Sequence, residues 1–285
     1  MIPPSPQMQI VSTCLARDLP VYKVTYRSLH EHLPGSEVHV VTRKEDFGKF
    51  RKACGRDLFL WDEADLIPSM NLQDLRKFPL SFFPKGAGWY FQQFLKLSFS
   101  DVSNNDEHFL IWDADTVLLK PLHFFDSKGI PIYTRASEYH RPYFETFQAL
   151  FDMDPEREFS FIAQHQVINK KYLADMLGEI ESRNGGKPWP WAIMENLKGA
   201  GTNLFSEYET YGHYVKRNYP NSLVFRNLQW TRTGGGAMSL PPWQPVLRAL
   251  ARNHDFAAFE ASDGISRRIV RSAKAIKTIF QPRCI

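Results

Sequence analysis

The sequence predicts an α/β protein with a mostly parallel central sheet and helices on both faces. Strand-like and helix-like segments alternate through the first 130 residues. The strand-like segments, such as Glu37–Thr42 and His108–Trp112, are short and show little polar alternation, as expected for strands covered on both faces. Repetition of this kind implies parallel strands joined by right-handed crossovers.

The predicted elements follow in order along the chain. Strands are predicted at 9–13, 37–42, 58–61, 108–112, 116–119, 130–134 and 159–162, from runs of β-branched and aromatic residues. Helices are predicted at 20–33, 47–54, 89–99, 171–182, 192–197 and 207–215, from the spacing of apolar residues. Loops are expected at 184–188, 198–203 and 233–236. No linker marks a second domain, so we expect one domain over 1–260 and a tail over 261–285.

Composition excludes several classes of protein. The 285 residues are 43% hydrophobic and 14% aromatic, enough for a sizeable core, which excludes a disordered chain. No apolar run approaches the roughly 20 residues that a membrane-spanning helix needs. Three scattered cysteines and a start without signal-peptide character predict a cytoplasmic protein with reduced thiols and no structural zinc.

The basic charge is concentrated in the tail. The net charge is +4, but residues 264–285 hold six basic side chains and no acidic one, so the body is slightly acidic. This distribution argues against a nucleic-acid surface. The tail could form a basic amphipathic helix that contacts anionic lipid at the inner face of a membrane, or a helix packed on the core with a solvated basic face. The basic residues predicted to contact lipid are Arg267, Arg268, Arg271, Lys274 and Lys277.

Two aspartates two residues apart follow the predicted strand His108–Trp112. Asp113 and Asp115 precede another apolar run, Thr116–Leu119. Ligands of open α/β sheets bind beyond the carboxyl ends of the strands. Paired carboxylates there suit Mg²⁺ or Mn²⁺, with a substrate diphosphate completing the coordination shell. A second Asp-x-Asp, at 152–154, follows no predicted strand and is interpreted as a solvated turn or a helix start.

The string IWDADTVLLKPL at 111–122 resembles the Asp-x-Asp motif of nucleotide-sugar-dependent glycosyltransferases of the GT-A fold. In that family the motif follows the fourth main strand, and a short strand and a proline come after it. The resemblance covers residues 8–135 well and the remainder loosely. It implies a Rossmann-like GT-A domain, a UDP- or GDP-sugar donor, Mn²⁺ or Mg²⁺, and a glycan or lipid-linked acceptor in cell-surface polysaccharide biosynthesis. It also implies that Asp115 binds the metal and that Asp113 lies near the metal or the ribose.

The resemblance further implies donor-binding residues. In GT-A enzymes the loop after the first strand contacts the nucleotide, which would here involve Thr13 and Arg17; an ordinary surface position is the alternative for Arg17. The helix before the motif often presents a basic or amide side chain to the donor. Gln92 and Lys96 are four residues apart and share a helix face, so we expect Lys96 to meet the diphosphate.

The acceptor side carries fewer signals. Ser206 is predicted as a helix N-cap, with Glu209 completing a capping box. Inverting GT-A enzymes place a carboxylate near a helix start in this region, so the resemblance implies Glu207 as the base that deprotonates the acceptor. Favourable charge at a helix N-terminus is the alternative. His165 and Gln166 are candidate acceptor ligands; for His165 the alternative is a buried core histidine.

Three other functions remain open from the sequence. Phosphatases of the haloacid dehalogenase type also place Asp-x-Asp after a strand, but near the N-terminus. Sugar nucleotidyltransferases share the fold but open with a Gly-rich loop, whereas Ser12–Arg17 contains no glycine. A non-catalytic carbohydrate-binding protein would not explain acidic residues at a strand end.

Overall fold

The computed structural model describes residues 8–78, 86–104, 107–155, 157–232 and 244–259. The predicted loop at 233–236 and the basic tail at 261–285 lie outside the described residues. Within the described ranges, no helix is long and apolar enough to cross a membrane.

Strands and α-helices of the described part follow one another along the chain. The strands are β1 (Gln9–Thr13), β2 (Glu37–Thr42), β3 (Phe59–Asp62), β4 (His108–Trp112), β5 (Thr116–Leu118), β6 (Ile132–Thr134), β7 (His165–Asn169), β8 (Val224–Arg226), β9 (Trp230–Arg232) and β10 (Phe256–Ala258). The helices are α1 (Leu19–His32), α2 (Phe47–Cys54), α3 (Glu63–Leu66), α4 (Leu72–Arg76), α5 (Ala87–Ser98), α6 (Arg141–Phe151), α7 (Lys170–Arg183), α8 (Trp189–Glu195), α9 (Glu207–Asn218) and α10 (Gln244–Ala251).

The central sheet has the strand order β3-β2-β1-β4-β7. The first four strands are parallel, and β7 runs antiparallel to β4. This confirms the predicted α/β class with a mostly parallel sheet. The strand order reverses between β1 and β4, the place where open α/β sheets generally bind ligands in a crevice at the carboxyl edge.

Helices cover both faces of this sheet. Successive residues of a strand point to opposite faces. Phe109 and Ile111 of β4 join a core cluster that includes residues of α5, α7, α8 and α9. Leu110 and Trp112 join a second cluster with α1 and α2. Because both faces of β4 are buried, nearly every residue of His108–Trp112 is apolar.

One predicted strand is wrong, and four strands of the described part, β7 to β10, were not predicted. Residues 159–162 form no strand; only Ser160 makes an isolated bridge, to Ala136. The strand is instead β7, His165–Asn169, whose polar first half resembles a loop in the sequence. β7 forms the far edge of the central sheet, where Trp112 pairs with His165. The remaining predicted elements through α9 agree with the structure to within three residues at each end. The second Asp-x-Asp, at 152–154, begins at the C-cap of α6, Asp152.

Candidate active site

A tight turn holds the two aspartates at the carboxyl end of β4. The backbone N–H of Thr116 donates to the carbonyl of Asp113 (3.0 Å), closing the turn 113–116. The hydroxyl of Ser12 donates to the carbonyl of Trp112 (2.7 Å), and the Trp112 indole N–H donates to the carbonyl of Thr116 (2.7 Å). Because both flanks of the turn are anchored to buried groups, Asp113 and Asp115 have a fixed position beside the crevice.

Asp113 is bound by side chains from two helices. Its Oδ1 accepts hydrogen bonds from Lys96 Nζ of α5 (2.5 Å) and from the Tyr208 hydroxyl of α9 (2.7 Å). Lys96 Nζ also donates to Glu207 Oε1 (2.7 Å). Gln93 Oε1 accepts from the backbone N–H of Glu207 (3.0 Å), which satisfies one of the donors at the start of α9.

Burial governs the electrostatics of this group. Lys96 and Glu207 are each 4% exposed. Burial alone would lower the pKa of Lys96, but the carboxylates of Asp113 and Glu207 raise it above its ordinary value, so the ammonium stays charged. Burial raises the pKa of Glu207, Asp113 adds to the rise, and Lys96 offsets part of it. Burial also raises the pKa of Tyr208, whose hydroxyl therefore remains a donor to Asp113.

The other oxygen of Asp113 faces a second chain of contacts. With its amide orientation assigned from its partners, Gln164 donates from Nε2 to Asp113 Oδ2 (3.2 Å) and accepts at Oε1 from Arg232 Nη2 (2.8 Å). Arg232 Nη1 lies 2.7 Å from Glu138 Oε2. Gln164 has a positive φ of 63°, an uncommon conformation for a non-glycine residue that is often found at functional sites. We call the connected side chains the polar network; they are Lys96, Asp113, Glu138, Gln164, Glu207, Tyr208 and Arg232.

Asp115 lies in the turn beside this network. It is half-buried, and its backbone carbonyl accepts from the N–H of Phe259 (2.8 Å), next to β10. Together with Asp115, the polar network contains four carboxylates and two cations, which gives a formal charge of −2. Among the described residues, no three His, Cys, Asp or Glu side chains are grouped closely enough to hold a metal ion. A metal at Asp113 and Asp115 would therefore need ligands from the substrate or from water.

The other donor-side predictions have different outcomes. Thr13 is the last residue of β1 and partly buried, so it lies at the carboxyl edge as expected. Arg17 lies in a short 3-10 helix, is largely exposed and pairs with the adjacent Asp18 (3.2 Å). Gln92 is exposed, and the side chain of α5 that reaches the network is Gln93. Nothing in the structure tests whether Thr13, Arg17 or Gln92 binds a nucleotide.

The two predicted acceptor ligands are buried. His165 Nε2 contacts the hydroxyl of Thr134 (3.0 Å), and its ring stacks on Trp112. Gln166 Nε2 donates to the carbonyl of Tyr208 (3.1 Å) and so joins β7 to α9. Both side chains are 3% exposed. The contacts of His165 fit the alternative of a core histidine, and nothing in the structure tests whether either side chain binds an acceptor.

The predicted capping box is half formed. The hydroxyl of Ser206 accepts from the N–H of Glu209, which confirms Ser206 as the N-cap of α9. The carboxylate of Glu209 does not complete the box. It accepts from the Ser160 hydroxyl (2.5 Å) and the Phe161 N–H (3.1 Å). The loop before β7 is thereby fastened to α9.

Five residues of the site were missed by the sequence analysis. Gln93 lies three residues before Lys96, a spacing that places it on the same helix face, so this signal was present. Tyr208 adjoins the predicted base. Gln164, Glu138 and Arg232 carried no local signal, because their contacts join segments far apart in the chain.

Family and structural comparisons agree with this architecture. DUF6492, described as a family of unknown function, matches residues 8–234. The chain belongs to the DUF6492 family. No curated protein matches the sequence significantly.

The fold of this DUF6492 member is similar to that of solved glycosyltransferase structures. It is similar to the galactosyltransferase LgtC, solved in complex with donor and acceptor sugar analogs, at 13% identity and a TM-score of 0.50, over 94% of this chain and 96% of that one. An active-site mutant of LgtC gives 12% identity and a TM-score of 0.51 over the same shares. The apo form of mouse xyloside xylosyltransferase 1 is 13% identical over 91% and 99% of the two chains, with a TM-score of 0.46. The similarity to LgtC shows that this chain has the GT-A fold.

Proposed function

We propose that the protein is a glycosyltransferase that moves a sugar from a UDP- or GDP-sugar to a glycan or lipid-linked acceptor, in the assembly of a cell-surface polysaccharide. The observation that carries the proposal is the rigid turn that presents Asp113 and Asp115 at the carboxyl edge of a GT-A sheet. The crevice at the strand-order reversal is where this kind of sheet binds nucleotides.

The donor chemistry of the turn suits a divalent cation. Mg²⁺ and Mn²⁺ prefer carboxylate oxygens and accept one or two of them together with water and substrate phosphates. The formal charge of −2 around Asp113 and Asp115 favours such an ion. When bound there, it would supply Lewis-acid stabilisation of the diphosphate. Asp115 would be its main protein ligand, because Oδ1 of Asp113 is already bound by Lys96 and Tyr208.

In the proposed reaction, the bond from the anomeric carbon of the sugar to the diphosphate oxygen breaks, and its electron pair leaves with the nucleoside diphosphate. The acceptor oxygen forms the new bond to that carbon and loses its proton. We assign this proton to Glu207, which implies inversion at the anomeric carbon. Burial raises the pKa of its carboxyl group, which suits a proton acceptor, and Lys96 offsets part of that rise.

A donor screen tests this function. Purified protein with MnCl₂ is incubated with UDP- and GDP-sugars, and released nucleoside diphosphate is measured. We expect release from one donor class, and a decrease of about 10²-fold or more in Glu207→Gln, with nucleotide binding retained. Glu195→Gln, at an exposed ion pair on α8, is the matched control and should behave as wild type.

Two results would contradict these assignments. Hydrolysis of p-nitrophenyl phosphate without any release from nucleotide sugars would favour the phosphatase alternative. Wild-type turnover in Glu207→Gln would exclude Glu207 as the base while leaving the transferase function in place.

A further inference from the structure

The two cations of the polar network differ in their access to solvent. Lys96 is enclosed, and its ammonium lies between the carboxylates of Asp113 and Glu207. The side chain of Arg232 is 32% exposed. Of the two, the guanidinium of Arg232 is therefore the more accessible to a ligand at the carboxyl edge of the sheet.

Arg232 is held in a defined orientation. Glu138 Oε2 binds Nη1 at 2.7 Å and Gln164 Oε1 binds Nη2 at 2.8 Å. The guanidinium carbon lies over the ring of Trp230, 5.7 Å from its centroid, in a cation–π contact. Contacts of this kind reduce the side-chain entropy that an arginine loses when it binds an anion.

Gln164 connects this guanidinium to the catalytic turn. Its side-chain amide lies between Asp113 Oδ2 and Arg232 Nη2. Its backbone carbonyl accepts from the backbone N–H of Asp113 (2.9 Å). Gln164, which has a positive φ, thus connects the proposed metal ligand Asp113 to the partly exposed Arg232. An anion bound by Arg232 would lie next to a cation bound at Asp113 and Asp115.

We propose that Arg232 binds the diphosphate of the donor and stabilises the negative charge that develops on the leaving nucleoside diphosphate. The inference rests on the proposed function and deepens it. A planar guanidinium matches phosphate oxygens with paired N–H donors, and such charge-assisted bonds strengthen as charge develops. When the bond from sugar to diphosphate breaks, the electron pair remains on the diphosphate oxygen and no proton is transferred. Arg232 then makes the contact that the sequence predicted for Lys96.

Calorimetric titration of UDP and GDP, each with MnCl₂, tests the inference on the full chain. For the nucleotide that wild type binds, we expect Arg232→Gln to lower the binding affinity by about tenfold or more. Arg232→Lys should lower the affinity by a smaller factor. Arg183→Gln removes an arginine from a comparably exposed ion pair with Glu179 on α7, and should stay within twofold of wild type.

Glu138→Gln separates anion binding from a purely structural role. If Arg232 binds the diphosphate, removal of the competing carboxylate leaves the affinity unchanged or increases it. If Arg232 only fastens β9 to the segment that holds Glu138, this variant weakens binding as Arg232→Gln does, and the inference is overturned. Affinity within twofold of wild type in Arg232→Gln overturns it as well, with the proposed function intact. Absence of UDP and GDP binding by wild type would overturn both.

Discussion

At the scale of single residues, Lys96 organises the candidate site. Its ammonium joins Asp113, at the end of β4, to Glu207, at the start of α9, although these residues are distant in sequence. The partly buried carboxylate of Asp113 and the buried one of Glu207 would repel each other without a cation between them. Removal of one partner from a buried ion pair leaves an uncompensated charge, which destabilises a protein much more than the pair itself stabilises it.

Lys96→Met should therefore lower the free energy of unfolding by about 3–5 kcal/mol, measured by urea denaturation. The double variant Lys96→Met/Glu207→Gln should be more stable than the single one, because it removes one of the two unpaired carboxylates. Lys171→Met breaks an exposed ion pair with Asp175 and should be close to wild type. Wild-type stability in Lys96→Met would refute the role of Lys96 as a buried counter-ion.

The residue scale also shows where sequence spacing stops being informative. Lys96 shares a helix face equally with Gln92, four residues away, and with Gln93, three residues away. The choice between them depends on the packing of α5 against α9, which the sequence of α5 does not contain. The exposed Gln92 and the buried Gln93 follow from that tertiary contact.

At the scale of elements, β7 is joined to its neighbours by a buried polar chain. Arg226 Nε of β8 donates to Thr134 Oγ1 of β6 (3.2 Å), so the hydroxyl proton of Thr134 is available to His165 Nε2 (3.0 Å). When Nε2 accepts this proton, His165 is neutral. Burial lowers its pKa well below the ordinary value, and the charge of Arg226 lowers it further.

The depressed pKa of His165 makes stability depend on pH. Below about pH 6.5 the unfolded chain binds a proton at this histidine and the folded chain does not. The contribution is therefore complete above about pH 6.5 and decreases as the pH falls, by up to about 1.4 kcal/mol per pH unit. Urea denaturation at pH 7.5 and pH 5.5 should show a smaller loss in His165→Phe than in wild type. An identical pH dependence in both proteins would contradict the neutral buried state of His165.

The contact of α9 with the loop before β7 depends on one glycine. A Cβ built on Gly212 would lie 2.2 Å from the ring of Phe161. Gly212→Ala should lower the free energy of unfolding by about 1–3 kcal/mol through overpacking. In α7, a Cβ on Gly178 would contact nothing within 4 Å, so Gly178→Ala should raise stability by about 0.5–1 kcal/mol. Thermal or urea unfolding distinguishes the two, and equal effects would contradict the close packing at Gly212.

At the scale of the whole molecule, the sequence predicts the strands of the central sheet better than those of the two small sheets. β1, β2 and β4 are buried apolar runs whose character is local, and their positions were predicted to the residue. The small sheets β5-β10-β9 and β6-β8 consist of three-residue strands. The pairs β5–β10 and β6–β8 join segments far apart in the chain, as in Leu118 with Phe256 and Ile132 with Val224. Their stability comes from tertiary contacts, so local patterns contain little information about them.

The same division applies to the site. Asp113, Asp115, Lys96 and Glu207 were singled out from the motif and the resemblance, and the structure brings Asp113, Lys96 and Glu207 into direct contact. Arg232 and Glu138 join the site only because β9 and the segment before α6 meet across the fold. Such long-range pairing is absent from any local pattern.

Calorimetric titration of UDP and GDP, with and without MnCl₂, tests most directly whether the turn at Asp113 and Asp115 is a metal-assisted nucleotide site. The account predicts that Mn²⁺ strengthens binding of one nucleotide by at least about tenfold, that Asp115→Asn abolishes this gain, and that Asp152→Asn in the other Asp-x-Asp retains it. Failure of both nucleotides to bind, or an undiminished Mn²⁺ effect in Asp115→Asn, would contradict it.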